Sequence, residues 1–229
     1  MKIYFLLGVP VTGALSPNTV KTEVIICESC KRRKTQYTNI TYVFDRWRGE
    51  DIISGSAQFF ISQRLKEKLD ERNIKGFELI PIKTSFSEQR GGIRKFGKGA
   101  YQKELPNFYY FEIIGRAEGD IDEWFKIIDP NECPKCRANK KMLSRDGIRS
   151  MRNPELTGGE DIEKPLSRNV YKKSWQGDDI FLLQDGLNLP IVTQNFIDCL
   201  SELNIKVNER EGVWFRPVNW IDEKKNIIE

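Results

Sequence analysis

The sequence predicts an α+β fold in which two related helix-strand halves surround a mainly antiparallel sheet. Three observations lead to this prediction. A helix-strand pattern occurs twice, apolar runs with strand character lie between the two copies, and two Cys-x-x-Cys pairs follow strand-like segments. The chain has 229 residues and a hydrophobic share of 39%, which is enough for one continuous globular domain with a buried core.

The first predicted element is a β-strand at the N-terminus. The apolar run that begins after Lys2 is short and Pro10 ends it, which favours an opening strand over a signal peptide. No apolar stretch in the sequence approaches the roughly 20 residues that a transmembrane helix needs. We therefore expect a cytoplasmic protein without a membrane partner.

The next predicted element is a helix followed by a strand. Leu65 and Leu69 lie four residues apart among charged residues, which predicts an amphipathic helix with Ser62 as its N-cap. The apolar run over 76–82 is typical of a strand. Because Pro81 has no backbone N–H, this strand is expected at a sheet edge, or to end at the proline.

A similar unit returns near the C-terminus, where Phe196, Leu200 and Leu203 precede a predicted strand over 212–218. Two short stretches of the first unit have counterparts in the second: Ile61-Ser62-Gln63 matches Val192-Thr193-Gln194, and Leu79-Ile80-Pro81-Ile82 matches Phe215-Arg216-Pro217-Val218. Self-similarity of this kind indicates a duplicated unit. A chance likeness between two helix-strand units is the alternative.

The predicted organisation has three parts. Residues 1–143 contain both Cys-x-x-Cys pairs and the first helix-strand unit, and residues 180–229 contain the second unit. The polar residues 144–179 are predicted to form a surface loop between them. Within the first part, the apolar runs 108–114 and 124–128 are predicted as strands of the sheet core.

The composition excludes several classes of enzyme. The chain contains no histidine, so it lacks the imidazole of Ser-His-Asp and Cys-His catalysis and of mixed cysteine-histidine zinc sites. Acidic clusters at 118–123 and 178–179 are interpreted as solvated turns, because no nucleophile or oxyanion donor can be paired with them. A hydrolase that uses Asp120, Asp122 or Asp179 is the remaining enzymatic alternative. We assign no catalytic residue and expect a protein that is not an enzyme.

Four of the five cysteines form two pairs, Cys27 with Cys30 and Cys133 with Cys136. A two-residue gap lets both thiolates of a pair face one ion, and two pairs complete the tetrahedral four-thiolate shell of a structural Zn²⁺. Roughly 100 residues separate the pairs, so the fold must bring them together. A redox motif or structural disulfides are the alternatives, but neither a thioredoxin-like setting nor an oxidising compartment is indicated. Cys199 stands alone in the second predicted helix and is interpreted as a buried small hydrophobe.

Basic residues follow each cysteine pair. Residues 31–34 are Lys-Arg-Arg-Lys, and Arg137, Lys140 and Lys141 follow the second pair. These cations can offset the negative charge of a zinc ion bound by four thiolates, or contact phosphates as in zinc-ribbon nucleic-acid-binding proteins. The net charge of +4 does not decide between these roles. The glycine-rich residues 90–99 match no phosphate-binding motif and are interpreted as a flexible loop.

The two Cys-x-x-Cys pairs, the Ser/Thr-capped helix and the strand containing proline resemble the double-CxxCG motif family of bacterial proteins. That family is associated with immunity to toxins delivered between neighbouring cells, including swarming-inhibition systems. The resemblance covers most of the chain, and its helix-strand block is also similar to other immunity proteins of polymorphic-toxin systems. It implies that Cys27, Cys30, Cys133 and Cys136 bind zinc, and that the protein neutralises a cognate toxin domain by binding it.

The sequence departs from the family pattern at two positions. The glycine that the pattern places after the second cysteine of each pair is Lys31 in the first pair and Arg137 in the second. Glycine there allows a positive φ, so a side chain costs about 1 kcal/mol if that turn is kept. The sequence therefore leads to a non-catalytic zinc-containing immunity protein as the first hypothesis, with a zinc-ribbon nucleic-acid-binding protein as the alternative.

Overall fold

The computed structural model describes residues 1–55, 58–87, 104–136, 140–150, 166, 168–184 and 189–228. The structure is mostly sheet (48%) with few helices (15%), so helices are a smaller part of the fold than the α+β prediction implied. The helices are α1 Gln63–Glu71, α2 Arg145–Ser150 and α3 Gln194–Glu202. The strands are β1 Ile3–Gly8, β2 Gly13–Leu15, β3 Val20–Cys27, β4 Arg32–Thr38, β5 Thr41–Phe44, β6 Ile52–Gly55, β7 Gln58–Ser62, β8 Phe77–Pro81, β9 Lys83–Phe86, β10 Phe108–Ile113, β11 Gly115–Ala117, β12 Gly119–Asp120, β13 Phe125–Asp129, β14 Lys140–Leu143, β15 Asn169–Tyr171, β16 Ile180–Leu183, β17 Ile191–Thr193, β18 Trp214–Ile221 and β19 Ile227–Ile228.

The largest sheet has eight strands and curls into a nearly closed barrel. Its order is β11-β16-β17-β1-β18-β15-β12, and β19 pairs with β18. Only Glu118 separates β11 from β12 in sequence, so the chain passes directly from one end of this sheet to the other. The predicted opening strand is confirmed as β1, which lies between β17 and β18.

Four smaller sheets complete the described structure. One has four strands in the order β6-β7-β10-β8, another has the order β2-β5-β9, and β3–β4 and β13–β14 form two-stranded sheets. Most neighbouring strands are antiparallel, as predicted, whereas β5–β9, β11–β16 and β15–β18 pair in parallel. No helix among the described residues has the length and apolar character needed to cross a membrane.

The first predicted helix-strand unit is present as β7, α1 and β8. Ser62 caps α1 as predicted, because its Oγ accepts a hydrogen bond from the backbone N–H of Leu65 at 3.2 Å. Leu65 and Leu69 are fully buried, which confirms the amphipathic pattern. β8 lies at the edge of the four-stranded sheet, where the missing N–H of Pro81 is tolerated.

The second predicted unit is present as β17, α3 and β18. In the first unit β10 lies between β7 and β8, and in the second β1 lies between β17 and β18. The registers correspond: Tyr109 of β10 is opposite Pro81 of β8, and Tyr4 of β1 is opposite Pro217 of β18. Each unit therefore consists of a strand, a helix and a strand with a third, antiparallel strand inserted between the two.

The polar contacts of the two units also correspond. In each unit a tyrosine of the inserted strand donates a hydrogen bond from its hydroxyl to the glutamine that begins the helix. The hydroxyl of the N-cap residue donates a hydrogen bond to an aspartate that lies directly before the hairpin β6–β7 or β16–β17. The tyrosine-glutamine pairs are Tyr109–Gln63 and Tyr4–Gln194, and the hydroxyl-aspartate pairs are Ser62–Asp51 and Thr193–Asp179.

The inserted strands come from different places in the chain. β10 follows its own unit, whereas β1 precedes its unit by more than 180 residues, with Ile3 opposite Thr193. The structure therefore differs from the predicted pair of halves, because the N-terminal strand completes the C-terminal unit. The sequence alone could not show this, since strand pairing across such a distance leaves no periodic signal.

The buried apolar side chains form three clusters. The first lies around α1 and α3 and contains Cys199, which is fully buried as predicted. The second contains Trp124 and Phe5 on one side of the barrel sheet. The third surrounds Tyr42 and Phe60. We call the first the helix cluster, the second the tryptophan cluster and the third the tyrosine cluster.

Two other predictions differ from the structure. The described part of 144–179 is not a continuous surface loop, because it contains α2 and β15, and Val170 of β15 is fully buried. The run 124–128 does form a strand, β13, but Ile127 and Ile128 are 56% and 50% exposed rather than part of the sheet core. The predicted flexible loop at 90–99 lies outside the described residues.

Candidate metal centre

Each Cys-x-x-Cys pair lies in the turn of a β-hairpin. We call β3, β4 and the turn between them the first cysteine hairpin (residues 20–38), and β13, β14 and their turn the second cysteine hairpin (residues 125–143, of which 137–139 are not described). In the first, Cys27 ends β3 and Cys30 lies in the turn. The β-branched residues before Cys27 are typical of a strand, and the sequence predicted that strand. The second strand of the hairpin, β4, was not predicted.

The base of the first cysteine hairpin is attached to the tyrosine cluster. The Thr19 hydroxyl donates to the carbonyl of Thr41 and accepts from the N–H of Thr41, both at 3.2 Å. Tyr37 packs against Tyr110 with ring centroids 6.1 Å apart. Farther along, Lys34 forms an ion pair at 3.0 Å with a carboxylate on β10. The remaining side chains of this hairpin are mostly exposed.

The base of the second cysteine hairpin is attached to the tryptophan cluster. Trp124, directly before β13, is fully buried and packs against Phe5 at a centroid distance of 5.9 Å. The N–H of Ser144, directly after β14, donates to the Trp124 carbonyl at 2.8 Å. Gly147 passes so close that a Cβ there would lie 2.4 Å from the same oxygen, so only glycine fits. No periodic pattern in the sequence marks this attachment, so it was not predicted.

The two hairpin turns bring all four cysteines together. The Sγ atoms of Cys27 and Cys133 are 3.8 Å apart, those of Cys30 and Cys136 are 3.6 Å apart, and all four lie within 4.8 Å of one another. A Zn–S bond of about 2.3 Å in a regular tetrahedron places neighbouring sulfur atoms about 3.8 Å apart. The donor set and its spacing therefore suit a tetrahedrally bound metal ion. All five cysteines of the chain are free of disulfide bonds.

The centre has a buried side and a solvent side. Cys27 and Cys133 are each 7% exposed, Cys30 is exposed and Cys136 is partly exposed. Each hairpin thus contributes one buried and one accessible thiol. A metal ion held by these four sulfur atoms would be shielded from water on the side of Cys27 and Cys133 and reachable from solvent on the side of Cys30 and Cys136.

The backbone of each turn favours thiolate on the buried side. The N–H groups of Cys136 and Lys135 lower the pKa of the Cys133 thiol to about 6. The pKa of Cys27 is also lowered, mainly by the N–H of Cys30. For Cys30 the N–H of Arg32 acts in the same direction, but desolvation and the neighbouring thiols raise its pKa to about 11. Amide groups directed at sulfur are the arrangement that stabilises a metal-bound thiolate.

The first turn keeps the backbone conformation for which glycine is expected. Lys31 has a φ of +56°, in the left-handed region that non-glycine residues rarely adopt. Its side chain forms an ion pair with Glu28 at 2.6 Å, and both side chains are largely exposed. The side chain of Lys31 therefore strains the turn. The corresponding Arg137 lies outside the described residues.

Charge is concentrated on the two cysteine hairpins. Residues 20–38 and 125–143 contain ten lysines and arginines and four acids, a net charge of +6, although the whole chain has a net charge of +4. The rest of the chain is therefore slightly acidic. The basic runs are visible in the sequence, but the separation of charge is not, because it depends on the two segments meeting at one place.

Two of the aspartates considered for a hydrolase make other contacts in the structure. Asp120 forms an ion pair with Lys225 at 2.9 Å. Asp179 accepts hydrogen bonds from Thr193 and Asn195 at the start of α3. These contacts connect Asp120 and Asp179 to residues far away in the sequence or at the start of α3.

Comparison with known proteins does not identify the chain. The sequence matches no protein-family model and no curated protein. The four-cysteine centre and the arrangement of the hairpins are therefore the observations on which a function can be based.

Proposed function

We propose that this chain is a non-catalytic immunity protein that holds one structural Zn²⁺ and binds and neutralises a cognate bacterial toxin domain. The observation that carries the proposal is the meeting of Cys27, Cys30, Cys133 and Cys136 from hairpins 106 residues apart. This is the residue set that the resemblance to the double-CxxCG family implies as ligands.

The donor set supports zinc in a structural role. Four thiolates in tetrahedral arrangement suit Zn²⁺ or an iron-sulfur centre, and hard cations such as Mg²⁺ and Ca²⁺ prefer oxygen ligands. Zinc with four protein ligands has no open position for water or substrate, in contrast to catalytic zinc sites. The ion would therefore fix the two hairpins relative to each other and take no part in a reaction.

The repeated strand-helix-strand unit is the second support for the family resemblance. We infer that the two units are copies of one ancestral unit and so form the two related halves of the fold. Matching sequence segments, strand registers and the two tyrosine-glutamine and two hydroxyl-aspartate pairs support this inference. The inserted strand follows its unit in one copy and precedes it in the other. Common descent therefore requires that the order of the strands along the chain changed in one copy.

The proposal is tested with the toxin domain encoded beside this gene. A large secreted protein with a variable C-terminal domain is expected there. The purified chain should bind that domain with a stoichiometry of about one to one and abolish its toxicity on co-expression, since immunity of this kind acts by sequestration. A toxin domain from an unrelated locus is the control. A neighbouring toxin domain that the chain neither binds nor neutralises would overturn the proposal.

A nucleic-acid-binding function is the second candidate, and the charge of the cysteine hairpins is the observation that favours it. Phosphate contacts by lysine and arginine release counterions, so binding should weaken steeply as salt rises. Fluorescence anisotropy with labelled duplex DNA, single-stranded DNA and RNA, at low and physiological ionic strength, measures this slope. If the chain binds none of the three at low salt, this candidate is eliminated.

A further inference from the structure

We propose that the two cysteine hairpins together form the surface that binds an acidic face of the toxin domain. This proposal rests on the proposed function and adds to it the location of the interface and the chemistry of the partner. It is supported by exposed apolar side chains, unpaired strand edges and charge, all in the same two hairpins.

Exposed aliphatic side chains are concentrated on these hairpins. In the first, Val24 and Ile26 are 43% and 53% exposed, and in the second Ile127 and Met142 are 56% and 53% exposed. None of the four belongs to the three buried clusters. Large apolar groups that do not contribute to a core lower the solubility of a protein unless a partner covers them. They occur on both hairpins, whose turns meet at the four cysteines, and in the second hairpin they lie on both faces, since Met142 is opposite Lys126 and Ile127 is opposite Lys141.

The strands of the hairpins have unpaired edges. Among the described residues β3 pairs only with β4, and β13 only with β14. An exposed edge offers a row of backbone N–H and C=O groups to another strand, and proteins use such edges to bind an extended segment of a partner. The edges and the exposed aliphatic residues together suit a protein partner that adds a strand and covers the apolar side chains.

Charge defines the chemistry of the partner. The hairpins have a net charge of +6, which favours an acidic surface and speeds the encounter with it. A second copy of this chain offers only a slightly acidic remainder, so self-association is a poor electrostatic match. A zinc ion bound by four thiolates would reduce the positive charge by two units and leave the hairpins strongly basic.

The side chains favour a protein over nucleic acid. Proteins that bind single strands stack bases on exposed aromatic rings. The aromatic residues of the two hairpins are Tyr37 and Phe125, and both are partly buried at the bases, where Tyr37 packs on Tyr110 and Phe125 lies under Lys141. The exposed groups nearer the cysteines are aliphatic, which suits the apolar centre of a protein interface with a charged rim.

Two double variants test the surface, and each has a matched control. Lys21→Glu with Lys126→Glu reverses two exposed charges, one on each hairpin, and Lys206→Glu with Lys224→Glu makes the same change elsewhere on the surface. Ile26→Thr with Ile127→Thr removes exposed apolar area while keeping β-branched residues, and Ile114→Thr with Ile227→Thr is the control, at positions 48% and 69% exposed. Zinc content and circular dichroism of each variant verify that the hairpins and the fold remain intact.

Binding of the neighbouring toxin domain is measured by isothermal titration calorimetry. Each hairpin variant should bind at least about tenfold more weakly than the wild type, and each control within about twofold. In the wild-type complex, hydrogen exchange should slow in residues 20–38 and 125–143. Toxin binding that is unchanged in both hairpin variants would overturn this inference and leave the proposed function standing.

Other outcomes also decide the inference. If the wild type does not bind the toxin domain, the proposed function and this surface both fail. If the hairpin variants instead lose binding to duplex or single-stranded nucleic acid, the surface serves the second candidate function and the acidic protein partner is wrong. If the hairpins are protected because the chain forms a dimer, as measured by light scattering, a second copy is the occupant.

Discussion

The cysteine hairpins and the rest of the molecule reach an ordered structure by different means. The strand-helix-strand units bury their apolar side chains in the helix cluster, where Leu65, Leu69 and Leu200 are fully excluded from water. In the first cysteine hairpin, β3 is exposed along its whole length except at Cys27. An isolated two-stranded hairpin is at best marginally stable in water. Burial therefore stabilises the units, whereas a metal ion at the four-cysteine centre would stabilise the ends of the hairpins.

The two regions also differ in how their contacts depend on conditions. Apolar burial needs no other component, whereas a thiolate centre depends on metal supply and on the protonation of its ligands. The bases of the hairpins are attached to different clusters, the tyrosine cluster and the tryptophan cluster. A metal ion at the tips would therefore connect two parts of the core that are otherwise packed separately.

Removal of the metal is expected to have the largest effect. Chelation or Cys133→Ser breaks a cross-link between residues about 100 positions apart, which should lower the unfolding temperature by about 10 °C. Amide exchange should accelerate in the cysteine hairpins first, while α1 and α3 stay protected. Differential scanning calorimetry and hydrogen exchange measure the two effects, and elemental analysis should find about one zinc per chain.

Cys199→Ser is the control for metal removal. Cys199 is fully buried in the helix cluster, away from the four ligands, so this variant should keep its zinc. A wild-type protein that contains no metal, or hairpins that exchange equally slowly with and without chelator, would show that the centre does not order them.

Truncation of an apolar side chain should have the second largest effect, and the loss of stability should differ between the two regions. Leu65→Ala leaves a cavity in the helix cluster and is expected to lower the free energy of unfolding by about 2–5 kcal/mol. Ile26→Ala, at a position 53% exposed on the first cysteine hairpin, should change it by less than about 0.5 kcal/mol. Urea denaturation measures both. A comparable loss for the two variants would mean that Ile26 contributes to a core and would weaken its assignment to a binding surface.

Within the strand-helix-strand units, the two N-caps should differ in strength. The Ser62 hydroxyl both caps α1 and donates to Asp51, whereas the Thr193 hydroxyl donates to Asp179 and makes no capping bond to α3. Ser62→Ala should therefore lower the free energy of unfolding by about 2 kcal/mol, and Thr193→Val by about 1 kcal/mol. An equal or larger loss for Thr193→Val, again in urea, would contradict this assignment.

The smallest expected effect is a gain in stability at the turn of the first cysteine hairpin. Lys31→Gly removes the strain of a φ of +56°, and Lys31→Ala keeps a Cβ while removing the same ion pair with Glu28. The glycine variant should be about 1 kcal/mol more stable than the alanine variant. Thermal unfolding of the zinc-loaded variants measures the difference. An alanine variant that is at least as stable would show that the turn relaxes.

Local patterns in the sequence predicted local structure well. Ser62, Leu65 and Leu69 define the start and the buried face of α1, because helix capping and periodicity depend on residues only three or four positions apart. The spacing within each cysteine pair likewise identified the residues that the structure brings together at one place. These features are encoded by neighbours in the chain and are therefore visible without the fold.

Features that depend on distant pairing were not predictable in this way. The insertion of β1 between β17 and β18 places Ile3 opposite Thr193 and Val218, and no local pattern specifies those partners. The exposure of Ile127 was also missed, since an apolar strand of this length reads equally well as sheet core. Its exposed position becomes clear only when β13 is seen to pair with β14 alone among the described residues.

The place of β1 determines the order in which the protein can be assembled during synthesis. β1 is synthesised more than 180 residues before its partner strands β17 and β18. Until the ribosome has delivered β17, the apolar side chains of Ile3, Phe5 and Leu6 have no sheet to join, and their second neighbour, β18, follows later still. The four cysteines are complete much earlier, once Cys136 has emerged. The nascent chain can therefore close its metal centre while β1 is still unpaired, and the barrel must form afterwards, by pairing strands that are far apart in sequence, which is slow compared with local pairing.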